Sequence, residues 1–262
     1  MATREGLDTT ERLEDLAGRL LQAIRERIPI PPLTTEHSDL TVEDAYRVQD
    51  LVVEALGGRE AAKLGLTSKA KQRQMNVGSP LSAWLVPGAR LERGEPLVVA
   101  DLIQPRVEPE IAFVLGRDVP GPATVDDVLA ATERVVPALD VLDSRFEGYT
   151  FTLPDVIADD GSAARYVVGG PGAAPGGFDL RLTGCVFEKN GELVATAAGA
   201  AVLDHPAAAV AWFAGELASR GRSLAAGTTV LAGALTAAVA VEPGDVVRAT
   251  FDRIGVVEVT CR

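Results

Sequence analysis

The hydrophobic pattern of this chain changes period near residue 62, and that break limits the folds open to it. Before the break, apolar residues recur at helical spacing. Leu13, Leu16, Ala17, Leu20, Ile24 and Ile28 form one series, opened by the capping-box pair Asp8 and Glu11 and ended by Pro29, Pro31 and Pro32. A second series opens at Thr41 with Asp44 three residues on. Val42, Ala45, Val48, Val52 and Leu56 give its buried face, and Gly57-Gly58 closes it. Beyond the break the apolar runs are short and separated by Gly and Pro. Segments 110–115, 165–168, 181–188, 193–196, 228–231, 246–251 and 256–260 predict strands, with Asn190-Gly191 as a hairpin turn. Two helices interrupt them, one capped by Thr124 with Asp127, the other running from Pro206 to a stop at Gly221. Segment 171–177 predicts a loop. Strands and helices do not alternate regularly, which argues against a doubly wound parallel sheet. The pattern predicts an α+β chain: a helical segment over 1–61, then a β-rich, mixed-sheet domain over 62–262.

Composition narrows the chemistry. Acidic residues outnumber basic ones 37 to 25, a net charge of −12, which is the wrong sign for a nucleic-acid backbone. Only two histidines, His37 and His205, and two cysteines, Cys185 and Cys261, are present. Zinc sites and most histidine acid/base chemistry are thereby disfavoured, and a metal would need carboxylate ligands. The cysteines read as free thiols of a reduced protein. No apolar stretch is long enough to span a bilayer and the N-terminus has no signal-peptide pattern, so the expectation is a cytoplasmic protein with no membrane partner. His205, before Pro206, reads as a helix cap; Trp84 and Trp212 read as core or interface residues.

Three acidic clusters stand out. Glu108 and Glu110 are two residues apart just ahead of an apolar run, so in a strand they share a face. The bland reading is a solvated strand end. Asp140 sits in a nearly apolar stretch, 135–142, and an ionised carboxylate there needs a partner. Either a cation such as Arg145 or Arg106 supplies it, or Asp140 joins the two glutamates around a hard divalent ion, Mg²⁺ or Mn²⁺. The third cluster, Asp155-Val156-Ile157-Ala158-Asp159-Asp160-Gly161-Ser162, is turn-like at its end; Asp159, Asp160 and Ser162 either line a pocket or cap a loop, and the turn chemistry favours the loop. Of only four lysines (Lys63, Lys69, Lys71, Lys189), Lys63 lies in an apolar Ala-Lys-Leu-Gly context. It reads either as a snorkelling surface lysine or as a compact ammonium in a role arginine cannot fill. Lys69 and Lys71 read as solvated.

Several ordered motifs together resemble one family. They are Lys63-Leu64-Gly65-Leu66-Thr67-Ser68-Lys69-Ala70-Lys71 with Gln74-Met75, Pro105-Arg106-Val107-Glu108-Pro109-Glu110-Ile111-Ala112-Phe113, Pro137-Ala138-Leu139-Asp140 with Asp143-Ser144-Arg145, Val156-Ile157-Ala158-Asp159, and Leu231-Ala232-Gly233-Ala234. The chain resembles the hydratase/decarboxylase branch of the fumarylacetoacetate hydrolase superfamily. Of its two activities, the motifs are more similar to 4-oxalocrotonate decarboxylases than to 2-hydroxypenta-2,4-dienoate hydratases, which tend to carry Gly-Pro where Leu235-Thr236 stand here.

The resemblance implies a β-rich core of the fumarylacetoacetate hydrolase type and metal-dependent decarboxylation of a small 2-oxo dicarboxylate, 2-oxohex-3-enedioate, in meta-cleavage degradation of aromatic compounds. It implies Mg²⁺ (or Mn²⁺) on Glu108, Glu110 and Asp140, catalytic roles for Lys63, Arg145 and Asp159, and substrate contacts from Leu66, Ser162, Gly233 and Thr236. It also implies a homo-oligomer and a complex with a related hydratase. Two positions depart from the family: Asp140 where Glu is commoner, and Asp160 where Asn is usual. The alternatives are the hydratase activity and, in a different class, a non-catalytic paralogue that binds a partner hydratase.

Overall fold

The computed structural model describes residues 9–74 and 77–262, without the side chains of Ala70, Lys71 and Gln74. The expectations placed on Asp8, the Lys71 side chain and Met75 fall outside the described residues. In chain order the elements are α1 (Thr9–Glu26), α2 (Val42–Ala55), β1 (Ala61–Gly65), α3 (Lys69–Gln74), β2 (Leu81–Leu85), β3 (Arg90–Leu91) and β4 (Arg106–Leu115). There follow α4 (Val125–Ala131), β5 (Thr132–Leu142), α5 (Leu153–Ala158), β6 (Ala163–Val168), β7 (Gly170–Pro171), β8 (Gly184–Lys189) and β9 (Glu192–Ala198). The chain ends with α6 (Pro206–Ser219), β10 (Thr229–Ala234), β11 (Val239–Ala240), β12 (Val246–Phe251) and β13 (Gly255–Thr260).

Among the described residues the strands form two sheets. The larger has the order β2-β1-β10-β4-β5-β6-β3, with β11 added to β4; the smaller has the order β7-β13-β12-β8-β9. The β1–β10 and β3–β6 pairs are parallel and the other pairs antiparallel, so the sheet is mixed. β4 and β5 alternate strictly. Val107, Ile111 and Phe113 with Val135, Leu139 and Val141 enter the main core, beside the smaller sheet and Phe213 and Leu217 of α6. The opposite face carries Glu108, Glu110 and Ala112 with Asp140, Ala138 and Val136. That face is concave: β2 and β6, distant in strand order, touch across it, and small residues such as Ala61, Ala89, Ala112 and Ala138 leave room for the curl. The N-terminal helices pack onto α5 through Leu13, Leu16, Leu20, Val48, Val52, Phe146 and Ile157.

Local signals account for many boundaries. Thr41 accepts from the Asp44 amide, Thr124 and Asp127 form a capping box, and His205 Nδ1 accepts from the Ala207 amide at 3.1 Å as the cap of α6. Gly221, with φ +67°, follows α6. Cys185 and Cys261 are buried free thiols.

Other expectations need correction. α1 stops at Glu26, where Arg27 takes φ +57°, so Ile28 lies beyond the helix and is 58% exposed. Val42, at the first turn of α2, is 41% exposed and not part of its buried face. The predicted strand 181–188 starts at Gly184, because Asp179 caps a short turn at Leu180–Leu182. β1, β2 and β5 were not expected as strands. Their residues are largely buried on both faces, which removes the alternation that marks a half-exposed strand.

Candidate active site

The β4–β5 ladder builds a carboxylate cluster. Glu108 lies opposite Asp140 in register, and Glu110 lies one alternation deeper, opposite Ala138. All three are buried, and one carboxylate oxygen of each lies within 4.8 Å of the others. Pro109 shapes the neighbouring strand. It has no N–H to give, and its carbonyl accepts from the Leu235 amide; beside it the register of β10 shifts between Leu231 and Ala234. Within that irregularity the Gly233 amide donates to Glu110 Oε2 at 2.6 Å. Gly233 has φ +111°, and a Cβ there would collide with the Thr67 side chain, so only glycine fits.

Lys63 of β1 faces this cluster and is itself buried. Its Nζ lies 2.6 Å from Asp140 Oδ2 and donates to the Gly161 carbonyl at 3.1 Å. Asp140 therefore pairs with Lys63, not with Arg145 or Arg106. Burial works against the Lys63 ammonium, but Asp140, Glu108 and Glu110 outweigh it and raise its pKa, so it stays charged. Burial, with Asp140 and Glu108 beside it, pushes Glu110 well above the usual carboxylate range. Lys63 is an ammonium at this cluster, and Glu110 Oε1 accepts no hydrogen bond among the described residues. A hard divalent cation fits this donor set: it would use the open oxygen and offset the remaining negative charge.

The third acidic cluster is not a solvated loop. Asp159, Asp160 and Ser162 are buried. Asp159 is bound by Arg145 Nε, and Ser162 Oγ donates to Asp159 Oδ2 at 3.0 Å. Arg145 Nη1 donates to the carbonyls of Asp143, at 2.8 Å, and Ala163, at 2.9 Å. Burial lifts Asp159 to about 6 despite that guanidinium. Asp160, Gly161 and Ser162 all adopt left-handed conformations, φ +50°, +60° and +57°. A Cβ on Gly161 would press on Ala83 at 2.9 Å, and this tight turn aims the Gly161 carbonyl at Lys63. Asp160 Oδ1 accepts from the Trp84 amide at 2.9 Å, and burial pushes its carboxyl up to about 8.

The remaining candidates lie further out. Leu66, at φ +55° just after β1, packs against the helical cluster, and its carbonyl accepts from the Gln72 side chain at 2.8 Å. The Thr236 hydroxyl donates to the Ala237 carbonyl in the β10–β11 connection. Lys69 is exposed and pairs with Asp204 on the surface. Trp84 is a core residue tilted against Phe213, whereas Trp212 is only half-buried. Two carboxylates assigned no separate role from the sequence act as braces. Asp143 accepts from the Ile103 and Gln104 amides and so ties down the approach to β4. Asp155 accepts from the amides and hydroxyls of both Thr34 and Thr152. The Thr152-x-x-Asp155 spacing is a capping-box signal that could have revealed the second.

Comparison with known proteins agrees with this geometry. Residues 57–262 match the family described as fumarylacetoacetate (FAA) hydrolase C-terminal. The chain is 42% identical over 242 residues to a 4-oxalocrotonate decarboxylase of Pseudomonas sp. (strain CF600), covering 90% of this chain and 92% of that one. It is 39% identical over 252 residues to a 2-keto-4-pentenoate hydratase of Paraburkholderia xenovorans (strain LB400), covering 94% of each. A solved structure of 4-oxalocrotonate decarboxylase from Pseudomonas putida G7, complexed with magnesium and adipate, superposes with a TM-score of 0.92 at 37% identity, over 99% of this chain and 100% of that one. The mixed, curled sheet with its N-terminal helices is the fold of that relative, and the chain belongs to the fumarylacetoacetate hydrolase family.

Proposed function

We propose that this protein is a Mg²⁺-dependent decarboxylase that converts 2-oxohex-3-enedioate to 2-hydroxypenta-2,4-dienoate in the meta-cleavage degradation of aromatic compounds. The observation that carries the reading is the buried set Glu108, Glu110 and Asp140 facing the Lys63 ammonium, in a chain similar to decarboxylases over nearly its whole length. Those three carboxylates would hold the metal. Bound there, Mg²⁺ (or Mn²⁺) would supply Lewis-acid stabilisation of charge on the 2-oxo oxygen.

The bond to the distal carboxylate breaks, CO₂ leaves, and the electron pair runs through the conjugated system to the 2-oxo oxygen, which takes up one proton. Lys63 Nζ, held charged by its carboxylate neighbours, faces that developing charge as a preorganised cation. Gly161 and Asp140 fix where the ammonium points. Arg145, Asp159 and Ser162 act as positioning residues that hold the 159–162 turn under Lys63. Gly233 borders the carboxylate cluster through its amide on Glu110, and Leu66 and Thr236, further out, would complete the walls around the substrate. The 39% identity to a 2-keto-4-pentenoate hydratase favours a second reading, hydration of 2-hydroxypenta-2,4-dienoate at the same site. Incubation with 2-oxohex-3-enedioate and, separately, with 2-hydroxypenta-2,4-dienoate, each with and without Mg²⁺, separates the readings. CO₂ release that needs metal and is lost in Glu110→Gln is expected; water addition without CO₂ release contradicts the decarboxylase reading.

A further inference from the structure

The concave face carries a cation that the mechanism above leaves unused. Arg106, Glu108 and Glu110 alternate with core residues on β4 and share its inner face. Glu110 is fully buried, whereas Arg106, the first residue of the strand, is half-buried opposite Leu142 at the end of β5. Arg106 thus stands at the rim, two residues outward from Glu108. Its guanidinium lies over the Tyr149 ring, 3.9 Å from the centroid. Among the described residues no carboxylate pairs with it, and none of its N–H groups finds an acceptor. Asp143 is engaged by the Ile103 and Gln104 amides.

Tyr149, beneath Arg106, sits in a left-handed turn. Gly148 and Tyr149 take φ +60° and +58°, and a bulky residue in the left-handed region is uncommon except where the fold enforces it, often at ligand sites. Burial raises the Tyr149 phenol above its usual range, so a neutral ring faces the cation. An arginine stacked flat on a ring keeps its N–H edge free in plane, the geometry that grips a carboxylate with two parallel hydrogen bonds.

We propose that Arg106, seated on Tyr149, binds the second carboxylate of a dicarboxylate substrate and thereby selects dianionic over monoanionic acids. The proposal rests on the reading of Glu108, Glu110 and Asp140 as the metal and substrate centre. Arg106 and Glu108, two residues apart on one face of β4, place the cation and the carboxylate cluster on the same side of the sheet. The role is one of selection. Negative charge leaves the distal carboxylate as CO₂ forms, so Arg106 holds the ground state more than the transition state. Its loss raises KM for the dicarboxylate far more than it lowers kcat.

Calorimetric titration of the Mg²⁺-loaded protein with adipate, an unreactive six-carbon dicarboxylate, and with hexanoate, its monocarboxylate counterpart, tests this directly. Wild type should bind adipate about tenfold or more tightly than hexanoate. Arg106→Gln should remove that preference while leaving hexanoate affinity within about twofold, and Arg106→Lys should restore part of it. Equal loss for both acids in Arg106→Gln, or unchanged adipate affinity, overturns the assignment. Wild type binding both acids equally also refutes Arg106 while sparing the metal centre. Wild type binding neither acid refutes the underlying reading of the site, and the Arg106 proposal with it.

Discussion

Two buried acidic clusters lie next to one another in this molecule, and they differ in how their charge is closed. Around Asp159 the account is complete. One carboxylate meets one guanidinium, Ser162 supplies a further donor, and Arg145 also reaches the carbonyls of Asp143 and Ala163. Around Glu110 it is not: its carboxyl is buried beside those of Glu108 and Asp140, and one of its oxygens has no hydrogen bond among the described residues. A closed cluster holds a fold in place, whereas an open one can take a ligand. The Lys63–Gly161 hydrogen bond joins the two, so the closed cluster fixes the lysine that faces the open one.

The largest expected effect tests the closed side. Arg145→Met leaves Asp159 buried without its counter-charge and should cost about 3–5 kcal/mol in urea unfolding. A loss below about 1 kcal/mol would show that the pair is not the brace described here. Next comes Asp160, whose carboxyl burial lifts to about 8. A raised pKa means that the folded state holds the proton more tightly. The metal-free protein therefore loses stability as pH rises from the unfolded value near 4 through about 8. Asp160→Asn keeps the acceptor for the Trp84 amide and removes that titration. At pH 8 it should be more stable than wild type by on the order of 3 kcal/mol, with the gap closing towards pH 4. An unchanged slope of stability against pH would count against a protonated Asp160. Asp143→Ala strips the Ile103 and Gln104 amides of their acceptor and should cost about 1–3 kcal/mol. It should also weaken Mg²⁺ binding, because those amides lead into the strand that carries Glu108 and Glu110. The smallest effect is expected at Lys69, in an exposed pair with Asp204. Lys69→Ala should change the unfolding midpoint by less than about 0.5 kcal/mol equivalent, and a larger change would assign it a role beyond the surface.

What the sequence showed of this arrangement follows from range. The shared face of Glu108 and Glu110 needs only the two-residue period of a strand, and it was legible. So was the oddity of Asp140 in apolar surroundings. That Lys63 answers Asp140 was not, because the pairing depends on strands far apart in the chain meeting within one curled sheet. β5 itself escaped detection because burial on both faces leaves no alternation to read. The 159–162 turn misled for a related reason. Asp-Gly chemistry describes the local backbone but not the neighbours packed over it, here Leu81 and Ala83 of β2. The helix caps at Thr41, Thr124 and His205 were readable because cap and partner lie within three residues.

Calorimetric Mg²⁺ titration of wild type beside Glu110→Gln tests most directly whether the open cluster is a metal centre. The account predicts one site per chain in wild type and its loss, or weakening by about a hundredfold or more, in Glu110→Gln, with both proteins equally folded by circular dichroism. Undetectable Mg²⁺ binding by folded wild type, or equal binding by both proteins, would contradict it.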